Sequence, residues 1–155
     1  MTINTDVRVR RPLAHERLIK ELQDEGGFAY FRDILLLAAA IGYRHERRVA
    51  FTDSAGDPIR YETLTGPSFS AALVNMIAAA VNPDDPEIMD DARLEERVKV
   101  FEEYANGGLE YVQEQVNVRH QPAAMVIGEL VSEALSESSS ASPATVEELL
   151  GGVNW

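Results

Sequence analysis

The stretch FAYFRDILLLAAAIGY, residues 28–43, decides the fold. Between Phe28 and Ile41 only Arg32 and Asp33 carry charge. Phe31, Ile34, Leu35, Ala38 and Ile41 recur at helical spacing, while Leu36, Leu37, Ala39 and Ala40 fill the other faces. A helix that is apolar nearly all round must be covered on more than one side, so the rest of the chain is expected to pack around it. It is too short to cross a bilayer, which takes about 20 apolar residues. Gly42 offers a stop. Arg44, His45, Arg47 and Arg48 then place positive charge at the C-terminal end, where the helix dipole favours it.

Working outward, Ile3, Thr5, Val7 and Val9 alternate with Asn4, Asp6, Arg8 and Arg10, the pattern of a strand over residues 3–11 that Pro12 ends. A helix follows to about Gln23, broken by Gly26-Gly27. Beyond the central helix, 48–51 and 59–61 are short extended runs around a turn-forming Asp53-to-Pro58 segment, which predicts a small β-hairpin. Phe69, Leu73, Met76, Ile77 and Ala80 give the next helix an apolar stripe facing the central one. A helix from Pro86 to about Ala105 buries Leu94, Val98, Phe101 and Tyr104; Asn106-Gly107-Gly108 interrupts it, and Leu109, Val112 and Val116 continue. Pro122 opens another helix with Met125, Val126, Leu130 and Leu135. The expected fold is mainly α: a compact helical domain around the buried central helix, with a short N-terminal strand and the hairpin. Residues 1–135 form that domain, 136–143 a Ser-rich linker, and 144–155 a short helix and tail.

Charge divides the chain. Residues 1–50 carry nine Lys/Arg against seven Asp/Glu, and residues 51–155 carry five against nineteen, for a net charge of −12. Such asymmetry suggests a basic face for an acidic partner and an acidic face for another. Cysteine is absent, which excludes thiol catalysis and sulfur-based zinc sites and suits a reducing cytoplasm. No signal-peptide pattern or membrane span stands out.

Arg8, Arg10 and Arg11, with Arg17 on the following helix, could contact double-stranded DNA. A basic strand followed by helices is the order found in ribbon-helix-helix DNA binders. The same arginines could equally solvate an edge strand. The acidic residues 84–91 lack the spacing of a calcium loop, and His15, His45 and His120 form no zinc motif. No nucleophile, base and acid converge, so neither an enzyme nor a cofactor or metal is expected. Asn106-Gly107-Gly108 can serve as a tight packing point between helices or as a hinge that moves when a partner docks. Trp155, at the end of the linker, would suit an apolar anchor for a partner.

Three segments carry a family resemblance: Val9-Arg10-Arg11-Pro12, the run Arg32 to Tyr43, and above all VFEEYANGGLE, residues 100–110. Together they make residues 7–117 resemble the DNA phosphorothioation-associated (Dnd-system-associated) protein 4 family. The region after Arg119 reads as an extension. The resemblance implies a part in prokaryotic defence built on sulfur in the DNA backbone, and it brings no catalytic residues. The expected function is that of a non-enzymatic accessory subunit of a phosphorothioation-linked restriction complex. Its partners would be ATPase- or nuclease-like proteins of the same cluster, and double-stranded DNA. The alternative is a stand-alone, dimeric DNA-binding regulator of ribbon-helix-helix type.

Overall fold

In the computed structural model, which describes residues 6–140, the chain forms β1 (Arg8–Pro12), α1 (Glu16–Glu25), α2 (Phe31–Arg44), β2 (Ser54–Arg60), α3 (Tyr61–Leu64), α4 (Ser70–Val81), α5 (Leu94–Arg119) and α6 (Ala123–Ser140). The fold is mainly helical, as the helical spacing of the apolar residues predicted. Helix α2 buries Ile34, Leu35, Leu36, Ala38, Ala39, Ile41 and Gly42, and packs most extensively on α5. Leu18, Ile19 and Leu22 of α1, Val74 and Ile77 of α4, and Val126, Ile127 and Leu130 of α6 complete one continuous core. Among the described residues no helix is long and apolar enough to cross a membrane.

The α2–α5 contact explains the glycines. A Cβ on Gly108 would overlap the Ala38 carbonyl oxygen, one on Gly42 the Tyr104 carbonyl oxygen, and one on Gly107 the Arg47 carbonyl oxygen. The two backbones therefore touch with no side-chain layer between them. Helix α5 runs unbroken through Asn106-Gly107-Gly108, against the expected interruption. Glycine costs helix stability by roughly 0.5–1 kcal/mol relative to alanine, and close packing on both sides offsets that cost here.

The sheet also differs from the expected hairpin. Strand β2 overlaps the predicted second arm but pairs antiparallel with β1, placing Arg8 opposite Arg60, Val9 opposite Ile59 and Pro12 opposite Ser54, with a register shift between Val9 and Arg11. Val9 is fully buried, so a strand with an apolar face finds its partner where it can also cover the core. Pro12 sits at the strand's end, where its missing N–H does little harm to the ladder. The 48–51 run is not a strand. Its Val49 donates its N–H to the Glu103 carbonyl and accepts from the Asn106 side-chain amide.

Helix α4 is rotated from its predicted phase. It buries Ser70, Val74, Ile77 and Ala78, and leaves Phe69 (65% exposed) and Met76 (68%) in solvent. After it come two 3-10 turns, Pro86–Met89 and Asp91–Arg93, in place of a helix starting at Pro86. Asp90 is extended there, and the Arg97 guanidinium donates to the Ile88 carbonyl and to the Asp90 carbonyl, which also accepts the Arg93 N–H. Helix α6 continues to Ser140, inside the stretch expected as a linker. The rest of that stretch, the predicted terminal helix and Trp155 lie outside the described residues, as do residues 3–5 of the predicted strand.

Candidate functional site

The four arginines singled out for DNA contact divide into two kinds. The Arg10 side chain forks onto Glu102 of α5 (Nε to Oε2 3.2 Å, Nη2 to Oε1 3.1 Å), and its backbone N–H donates to the same carboxylate at 2.6 Å. Its guanidinium also lies 4.8 Å from the Phe51 ring. Arg11 is buried, ion-paired with Glu16 at 3.6 Å and stacked 3.9 Å over Phe31. Both hold β1 to the helices. Arg8, paired with Asp6 at 3.2 Å, and Arg17 are exposed, and the Arg10 side chain still keeps 37% of its surface in solvent against 40% for Arg8. Within the chain β1 pairs with β2, and its Arg10 amide is taken by Glu102 of α5.

Asn106, Gly107 and Gly108 are buried in the contact between α5, α2 and residues 47–49, and Asn106 anchors Val49. The surrounding block, residues 100–110, is engaged in the same way. Val100, Phe101, Tyr104, Ala105 and Leu109 lie in the core, Glu102 grips β1, and Glu103 pairs with Arg48 at 2.9 Å. Each polar residue of the block from Glu102 to Asn106 whose partner is known thus ties a neighbouring segment to α5.

A cleft of about 460 Å³ opens beside this block, lined among others by Leu13, His15, Phe51, Asp53, Asn106 and Glu110. Burial lowers the His15 imidazole below its ordinary value, against the opposing pull of Glu110. Sequence reasoning had treated His15 as an isolated residue, and the neighbour that affects it lies far along the chain. His45 stacks on Tyr111 with ring centroids 4.0 Å apart, and burial followed by Arg44 lowers its value as well. Neither histidine is joined by a nucleophile in hydrogen-bond reach among the described contacts. Among the described residues no three His, Asp or Glu side chains gather as a metal site.

Electrostatically, many of the arginines pair with the molecule's own carboxylates at the surface. Arg47 bonds Glu114 at 2.6 Å, Arg119 bonds Glu129 at 2.7 Å, Arg44 bonds Glu137, and Arg93 bonds both Asp85 at 2.8 Å and Glu96 at 2.7 Å. Arg93 holds the Asp85 and Glu96 carboxyls below their ordinary values, and Arg119 does the same to Glu129. Arg97 was not foreseen from sequence: it is buried and satisfied by Asn75 Oδ1 (3.0 Å) and two carbonyls.

A family model described as DNA sulphur modification system-associated protein 4 matches residues 8–148. The chain belongs to that family. No curated protein and no solved structure matches it. The match extends past Arg119, so α6 is part of the DNA sulphur modification system-associated protein 4 unit, where the sequence suggested an added extension. The block at 100–110 that carried the resemblance is, in this member of the family, the hub on which β1, α2 and residues 47–49 are assembled.

Proposed function

We propose that the protein is a non-enzymatic accessory subunit of a prokaryotic, phosphorothioation-linked antiviral restriction complex. It works in the cytoplasm by docking onto ATPase- or nuclease-like proteins of the same gene cluster. The observation that carries this reading is the pairing of the arginines with the chain's own carboxylates. Arg10, Arg11, Arg47, Arg48, Arg93 and Arg119 are each paired with a carboxylate of the chain, and the carboxylates outnumber the basic residues, for a net charge of −12 over the full sequence. Such an excess repels a phosphate backbone and steers a basic protein partner. DNA contact, through Arg8 and Arg17, is secondary.

Affinity purification of the tagged full chain from its native host, with nuclease treatment, tests the reading. Co-recovery of cluster proteins in fixed ratio after nuclease treatment is the expected result. Recovery of the chain alone, with DNA fragments released by the nuclease, would overturn it.

A further inference from the structure

We infer that the outward face of α4, with the acidic turn beside it, is the docking surface for a basic amphipathic helix of a partner protein. The inference rests on the accessory-subunit reading above and specifies where that contact is made. Phe69, Ala72, Met76, Ala79 and Ala80 fall at i, i+3, i+7, i+10 and i+11, on one side of the helix opposite Ser70, Val74 and Ile77, and all are exposed. From Ser70 to Val81 there is no charged residue. A helix with one face open to water ordinarily carries charge on that face, and this one presents a methionine and a phenylalanine instead. Met in particular adapts its unbranched side chain to an incoming apolar surface.

The acidic turn lies along one edge of this face. Asn75 and Asn82 flank the exposed stripe a helical repeat apart, and Arg97 ties Asn75 to the carbonyls of Ile88 and Asp90. The turn carries Asp84, Glu87, Asp90 and Asp91, which form no ion pair among the described residues, whereas Asp85 is neutralised by Arg93. Met89, 42% exposed, is an apolar side chain of the turn itself. An apolar stripe with a one-sided carboxylate border fits a helix whose anchors are apolar and whose flank is Lys/Arg. Charge argues against the other occupants. A second copy would bring its own carboxylates against these in a two-fold contact. Residues 141–155 of this chain hold Glu147 and Glu148 and no Lys or Arg.

The test places the photocrosslinker p-benzoylphenylalanine at position 72 and, in a separate full-length variant, at position 135 on α6, in the native host. We expect position 72 to crosslink a Lys/Arg-rich amphipathic segment of another protein of the cluster. Met76→Glu should lower co-recovery of that protein at least tenfold without lowering the melting temperature. Asp90→Lys combined with Asp91→Lys should lower it too. Crosslinks from position 72 to a second copy, to residues 141–155, to an acidic segment or to nothing would overturn the inference. If position 135 alone captures the cluster protein, the docking surface is wrong and the accessory reading stands. If neither position nor affinity purification yields a cluster protein, both fall.

Discussion

At the scale of single residues, Gly108 is the most exacting position. Its missing Cβ is what lets the α5 backbone meet the Ala38 carbonyl, so Gly108→Ala must force the two helices apart. Overpacking of this kind costs about 1–3 kcal/mol or more, and chemical denaturation should show a loss in that range, whereas Gly128→Ala, which meets nothing within 4 Å inside α6, should gain roughly 0.5–1 kcal/mol. His15 gives a second prediction. Its folded-state value is lowered chiefly by burial, so the unfolded chain takes up the proton first as pH falls below about 6.5. Stability is therefore retained above that pH and declines below it, and His15→Gln should flatten the decline in melting temperature between about pH 6.5 and 5. A slope unchanged by the substitution would assign the effect to His45 instead, whose value is lowered in the same direction. Neither role was legible locally. The glycine pair was recognisable as a place for close approach, but which backbone approached it is a long-range fact.

At the scale of elements, the sequence specified helices better than their phases or partners. Helix α2 was legible because a run apolar on every face has only one stable environment. Helix α4 was not, because alanine is tolerated on any face, and the stripe through Met76 and the one through Val74 have similar periodicity. The two-stranded sheet was misread for a related reason. A Gly- and Asp-containing segment signals a turn locally, yet pairing with Val9 and burial outweigh it. Arg97 organises the connection between α4 and α5, and its buried guanidinium uses the planar fork that lysine lacks. Replacing it by alanine removes the guanidinium donor from the buried Ile88 carbonyl, a cost of about 1–3 kcal/mol for a buried group, while the Asp90 carbonyl keeps the Arg93 N–H. Arg97→Ala should raise amide exchange across residues 86–93 well before the core of α5, and Arg97→Lys should restore little of the protection. Equal protection in all three proteins would sink that account.

At the scale of the whole molecule, charge is the property most visible in the sequence and least interpretable from it. The count of −12 was available at once, but not that arginines such as Arg10 and Arg47 close on the chain's own carboxylates, leaving the acidity outward. A surface with this excess repels itself. Raising salt from about 0.1 M to about 1 M shortens the screening length from about 10 Å to about 3 Å, and the melting temperature should rise, since exposed ion pairs are each worth little. A fall would mean that the arginine–carboxylate pairs outweigh the repulsion. The backbone-to-backbone seat of Gly42 and Gly108 has a further bearing on what this protein can become. Side-chain layers between helices can be exchanged piecemeal, one volume for another, and the helices can slide by a turn as they are. Two backbones in contact admit no such gradual change. The α2–α5 pair works as a fixed axle with a single setting, so a new binding specificity has to arise on the parts mounted around it, and a signal that crosses the molecule has to go around that axle rather than along it.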